Sequence, residues 1–98
     1  MADLRDVDPR ELRVPTSRPE GADPAKLARQ ISLFGQSTLG MPPPWVYEGK
    51  DGVLVLYNGV TRATRVAKLM PGTLIRVEVL GTLPRAYASL PTIGDLLP

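Results

Sequence analysis

From residue 73 to 80 apolar and polar side chains alternate, with Ile75, Val77 and Val79 on one side of an extended chain and Arg76 and Glu78 on the other. That period of two predicts a strand, and its half-charged face predicts a place toward an edge of the sheet. Over 23–34 the period lengthens: Leu27, Ile31 and Phe34 recur at four and then three residues, while Lys26, Arg29 and Gln30 face away. This is an amphipathic helix expected to pack on the core. Its ends have physical causes, Asp23 as N-cap, Pro24 at the first helical position and Gly35 as left-handed stop.

Between these segments, Trp45-Val-Tyr-Glu48 reads as a strand, Gly49-Lys-Asp-Gly52 as a turn, and Val53-Leu-Val-Leu-Tyr57 as the partner strand. The partner has no polar alternation, so it is expected to be central and covered on both faces. Trp45 and Tyr47, two residues apart, share one face as core, hairpin cover or a stacking surface. A second helix runs from Gly59 to Leu69 or Met70, with Val60, Ala63, Ala67 and Met70 on one stripe and Arg62, Arg65 and Lys68 elsewhere. Pro71-Gly72 ends it. The opening segment is extended and is followed by a turn begun by Asp8-Pro9; residues 15–22 read as a mobile loop, and 36–44 as a loop closed by three prolines. The expected architecture is α+β, a small mixed sheet with two main helices in one domain over 1–80. Residues 81–98 are expected to form an extended tail laid on the body, or to be disordered.

Composition narrows the chemistry. The 98 residues contain no Cys and no His, which excludes a thiol nucleophile, a disulfide framework, an imidazole base and a Cys/His zinc site. Net charge is only +2 and the twelve Lys and Arg are spread out, without the basic stripe of a strong nucleic-acid binder. No apolar run approaches the roughly 20 residues of a membrane span. Charged residues stand where a secretory signal would be apolar, so a cytoplasmic location without membrane association is expected. Asp3, Asp6, Asp8 and Glu11 crowd the N-terminus. They suit a solvated acidic segment better than a metal site, and no metal is expected. Ser32, Ser37, Thr38 and Ser89 have no neighbouring base.

The stretch with candidate chemistry is 54–70, where a strand breaks at Asn58-Gly59 into a helix. Such a corner aims free backbone N–H groups and the positive end of the helix dipole at one point, where an anion can sit. Thr61 offers a hydroxyl, Arg62 a planar fork of donors, and Arg65, one turn on, either braces the same phosphate or faces solvent. The candidate binding residues are therefore Asn58, Gly59, Thr61, Arg62 and Arg65; none is assigned a catalytic role. The alternative is that Gly59 merely turns the chain and the arginines form a solvated helix face.

The order of elements resembles the N-terminal domain of the ParB/sulfiredoxin superfamily over about residues 4–80. The residues that carry the resemblance are Val7-Asp8-Pro9 to Leu12, Lys26-Leu27-Ala28-Arg29-Gln30-Ile31 with Gly35, Pro43-Pro44-Trp45-Val46, and Asn58-Gly59-Val60-Thr61-Arg62 through Ala67-Lys68-Leu69. In that superfamily the Gly-x-x-Arg corner holds nucleotide phosphates, CTP in ParB proteins and ATP in sulfiredoxins. The resemblance implies that Gly59, Thr61 and Arg62 form this corner, with the loop after Gly35 as the wall facing it, and that CTP or ATP with magnesium is the ligand. ParB proteins carry Glu and Arg after that Gly, where this chain has Val60 and Thr61, so metal-assisted CTP hydrolysis does not carry over. Sulfiredoxins have their catalytic Cys at the Val60 position, which excludes sulfinic acid reduction. Sequence-specific DNA binding by this chain alone is not expected, because no helix-turn-helix follows. The leading expectation is a domain that binds a nucleotide or another phosphate ligand with little or no turnover. The others are a protein-interaction module that kept the fold and engages a protein partner, and a ParB-like nuclease.

Overall fold

In the computed structural model, which describes residues 1–97, a four-stranded sheet carries two helices in layers. The strands are β1 (Asp3–Val7), β2 (Trp45–Glu48), β3 (Leu54–Asn58) and β4 (Ile75–Thr82); the helices are α1 (Pro24–Phe34) and α2 (Val60–Leu69). Sheet order is β1-β4-β2-β3, with β4 parallel to β2 and the other neighbours antiparallel, so the chain is α+β with a mixed sheet. Among the described residues no helix is long and apolar enough to cross a membrane.

One face of the sheet meets α2. Val46, Leu56, Ile75, Val77 and Val79 from the strands pack with Val60, Ala63, Val66 and Ala67 from the helix. Burying each of the valine, leucine and isoleucine side chains contributes about 1.5–3 kcal/mol. Helix α1 packs chiefly on α2. Asp23 caps it through Ala25 N–H at 2.8 Å, as its sequence requires, but only Leu27 is buried; Phe34, expected on the core stripe, is 53% exposed. An outer-layer helix needs only a narrow apolar contact.

Two strand positions are the reverse of expectation. Strand β4 is central, between β1 and β2. Its alternation is real, but Arg76 and Glu78 lie on an uncovered sheet face rather than at an edge, and Arg76 Nε donates to Asp6 Oδ1 across the β1 pairing at 3.2 Å. Strand β3, expected to be central, is the terminal strand of the sheet. Val55 and Leu56 are nonetheless both buried, because residues 12–14 run along its outer side: Arg13 N–H donates to Leu54 O and Arg13 O accepts from Leu56 N–H, both at 3.0 Å. A single covering residue thus removed the polar alternation that normally marks an edge.

The C-terminal segment lies on the body. Strand β4 continues through Gly81 and Thr82, Ile93 N–H donates to Leu12 O at 2.9 Å, and Ile93 and Leu12 are both buried in the core. Pro98, the end of the expected tail, lies outside the described residues. The hairpin turn holds this segment through one carboxylate: Asp51 Oδ2 accepts from Tyr87 N–H at 2.9 Å and Ala88 N–H at 3.0 Å, and Oδ1 from Val53 N–H at 3.2 Å.

Desolvation pushes the Asp51 carboxyl up, but these N–H donors outweigh it and hold it below its ordinary value of 3.8. A carboxylate whose folded pKa is depressed adds stability above its unfolded pKa and loses it as pH falls through the folded value. Asp51→Asn is therefore expected to melt below the native chain at about pH 7, with the gap closing as pH falls below that ordinary value, in thermal melts followed by circular dichroism.

Candidate functional site

Strand β3 ends at Asn58, Gly59 takes the left-handed conformation (φ 97°, ψ 21°), and α2 begins at Val60. Only glycine is comfortable at that φ, and there is no space for more: a Cβ at residue 59 would lie 2.8 Å from Arg62 Nη2, 2.8 Å from Pro44 Cβ and 3.0 Å from Pro44 Cα. The same contact locates Arg62. Its guanidinium folds back over the start of the helix, against Gly59. The first intrahelical bond runs from Ala63 N–H to Gly59 O at 3.0 Å, and no side chain caps the helix. The N–H groups of Val60, Thr61 and Arg62 therefore have no partner among the described residues.

This helix start opens into a cleft of about 490 Å³. Asn58, Gly59, Thr61 and Arg62 line it from the corner, Arg18 from the loop after Pro15, and Lys26 and Gln30 from α1. Among the described residues, three cations line the cleft and no carboxylate does. None of the three is in an ion pair among the described residues, where the paired arginines are Arg5, with Asp3 and Glu48, and Arg76, with Asp6. Burial pushes the Arg62 guanidinium below the usual arginine range, with no carboxylate to oppose it. Its Nε is buried without a partner, as is Gln30 Oε1. An anion in the cleft would relieve the desolvation of Arg62 and reach free backbone donors at the same time. A divalent cation would find no protein carboxylate there, and would be held only by the phosphates of a ligand.

Arg65 stands apart from this group. It is 2% exposed, and its Nη1 donates to Gly35 O at 2.7 Å and to Ser37 O at 2.9 Å. Its guanidinium also lies 5.5 Å from the centroid of the Phe34 ring. It neither faces solvent nor lines the cleft at the 58–62 corner. It closes the C-terminal end of α1, where carbonyl oxygens and the negative end of the helix dipole favour a cation. Phe34, the misplaced core residue, is the aromatic cover of that cation.

The loop after Gly35 does not line this cleft but meets Arg62 and Arg65 across a second cavity of about 190 Å³, lined on its side by Ser37, Leu39, Gly40, Met41 and Pro42 and sharing Gln30 and Arg62 with the cleft. The facing wall is Arg18, Lys26 and Gln30, which sequence reasoning missed. Lys26 and Gln30 are four residues apart on one helix face, a usable signal, whereas Arg18 sits in a loop without any pattern. Three of the four N-terminal carboxylates have separate partners: Asp3 pairs with Arg5, Asp6 with Arg76, and Asp8 accepts from Arg10 N–H.

The two arginines of α2 have different expected outcomes on substitution. Arg65→Ala leaves two carbonyls without donors and is expected to cost on the order of 3 kcal/mol, lowering the melting temperature by roughly 10–20 °C. Arg62→Ala is expected to change stability by about 1 kcal/mol or less. Differential scanning calorimetry of both variants checks this contrast.

A scan of known protein families and a search of curated proteins find no match to this chain.

Proposed function

We propose that this chain is a binding domain for a nucleotide or another phosphate-bearing ligand, held at the 58–62 corner with little or no turnover, and that its fold is ParB/sulfiredoxin-like. The observation that carries this reading is the cleft's charge: Arg18, Lys26 and Arg62, without a carboxylate, surround a helix start whose first three N–H groups are free. Three cations suit a ligand with more than one negative charge. Phosphate oxygens accept from backbone N–H, the Thr61 hydroxyl and the Arg62 fork together, and charge-assisted bonds of this kind are the strong ones. Binding is favoured over turnover because, among the described residues, none lining the cleft offers a carboxylate or imidazole to move a proton or hold a metal. CTP and ATP are the ligands to try first, with magnesium carried on their own phosphates. A cytoplasmic location goes with this reading.

A second reading, a protein-interaction module, is favoured by Leu33, Phe34 and Leu39, which are exposed together at the end of α1 and in the loop after it, Leu39 to 95%.

Thermal shift separates the two. A ligand at a hundred times its dissociation constant adds about 2.7 kcal/mol, on the order of 10 °C for a domain of this size. The expected result is a shift with ATP, CTP or inorganic tripolyphosphate that shrinks as salt is raised and disappears in Arg62→Ala. An unchanged melting curve across these ligands, with and without magnesium, would overturn the phosphate reading and leave the interaction module.

A further inference from the structure

The sheet face turned away from α2 carries apolar side chains that no described element covers. Leu4 on β1, Trp45 on β2 and Tyr57 on β3 are 46%, 42% and 63% exposed. The rings order one another: Trp45 stacks with Tyr57 at 15° between planes and 6.5 Å between centroids, and Tyr47 meets Tyr57 edge to face at 5.7 Å. Between them and Leu4 stands Glu78 of β4, whose register partners are Leu4 on one side and Trp45 on the other. Glu78 is in no ion pair among the described residues. Two residues earlier on the same face, Arg76 donates to Asp6 through Nε, and its Nη1 and Nη2 have no partner there. A purely apolar cover would strand the Glu78 carboxylate away from water. Whatever lies on this face must therefore set a cation over Glu78 and an acceptor over Arg76, two residues apart along a strand.

We propose that this face joins two copies of the chain, sheet against sheet, about a two-fold axis that crosses β4 at Val77, so that Arg76 of each copy meets Glu78 of the other. The same strand run in the opposite direction presents the required charges at the required spacing, which is the self-complementarity that a two-fold interface needs. Sheets packed face to face lie about 10 Å apart, room for one layer of side chains from each. Leu4, Trp45 and Tyr57 supply the apolar area. The charges set the register, since an exposed ion pair adds little by itself. Each Arg76 then lies between Asp6 of its own chain and Glu78 of the other, and both edges of its guanidinium are used. A strand of nucleic acid suits the rings less well, because its phosphates would lie against Glu78 and Asp6. This interface does not depend on the phosphate reading, and it uses none of Leu33, Phe34 and Leu39.

Trp45 is the chain's single tryptophan, so its emission reports its own burial. The full chain is followed by analytical ultracentrifugation from about 1 µM to about 1 mM, with Trp45 emission recorded over the same range. The expected result is a mass that rises from one chain to two and an emission that moves to shorter wavelength as Trp45 leaves water. Arg76→Glu and Glu78→Arg each set like charges against each other and are expected to stay monomeric alone. Mixed in equal amounts they are expected to dimerise, because every contact then joins a carboxylate of one variant to a guanidinium of the other. Circular dichroism checks that both variants fold, and Glu78→Gln, which keeps the shape of the side chain, is expected to weaken association of an intact fold about tenfold. A native chain that stays monomeric at the highest concentration would overturn the interface, as would dimerisation of either reversed variant alone or association unchanged by Glu78→Gln. A mixture of folded single variants that stays monomeric would overturn the contact between Arg76 and Glu78. A short oligothymidylate that shifts Trp45 emission while the native chain is monomeric would give the face to nucleic acid instead.

Discussion

The left-handed backbone at Gly59, closed in by Arg62 and Pro44, is the constraint on which the arrangement depends. One residue ends β3 and starts α2, so the helix leaves the sheet without a connecting loop and lies directly over it. Val60, Ala63, Val66 and Ala67 then meet Val46, Leu56 and Val77 in the core. The same tight reversal leaves no residue between strand and helix to cap the first N–H groups. Core packing and an unsatisfied helix start are thus two results of one turn, and the cleft is where the second of them faces solvent.

Charge is sorted along the molecule in a way that sharpens this. Carboxylates and cations on the strands pair with each other, Arg5 with Glu48 and Asp3, and Arg76 with Asp6. Glu48 first and Asp3 second hold the Arg5 guanidinium above its usual range. Around the mouth of α2 the cations have no such partners. Arg62 and Arg65, three residues apart on one helix, show how sharply the outcome depends on position: Arg65 is buried against the carbonyls that end α1, while Arg62 folds toward the open end of α2. Both leave a buried Nε without a partner, but Arg65 donates through Nη1 to the carbonyls beyond α1 and holds two helices together, whereas Arg62 lines an open cleft.

Local structure was legible wherever the cause lay within a few residues. Asp23, Pro24 and Gly35 set the limits of α1, the Gly49 to Gly52 turn set the hairpin, and the alternation of Ile75, Val77 and Val79 set β4, because caps, turns and periodicity act through neighbours in the chain. The corner at Asn58-Gly59 was legible for the same reason. The positions of β3 and β4 in the sheet were not. An uncovered sheet face and a sheet edge both put charged residues on alternate positions, and the run of Val55 and Leu56 looks central whether a full strand or the single residue Arg13 lies beyond it.

The sequence alone determined that a strand must break into a helix at residue 59, with Thr61 and Arg62 in the first turn, since glycine's freedom at positive φ and the change of period are local properties. Tertiary packing decided what stands opposite. Arg18 and Lys26 come to the cleft from two separate segments, and Arg65 is turned to the end of α1, because a side chain's partners depend on which elements fold against it and those contacts span tens of residues of chain.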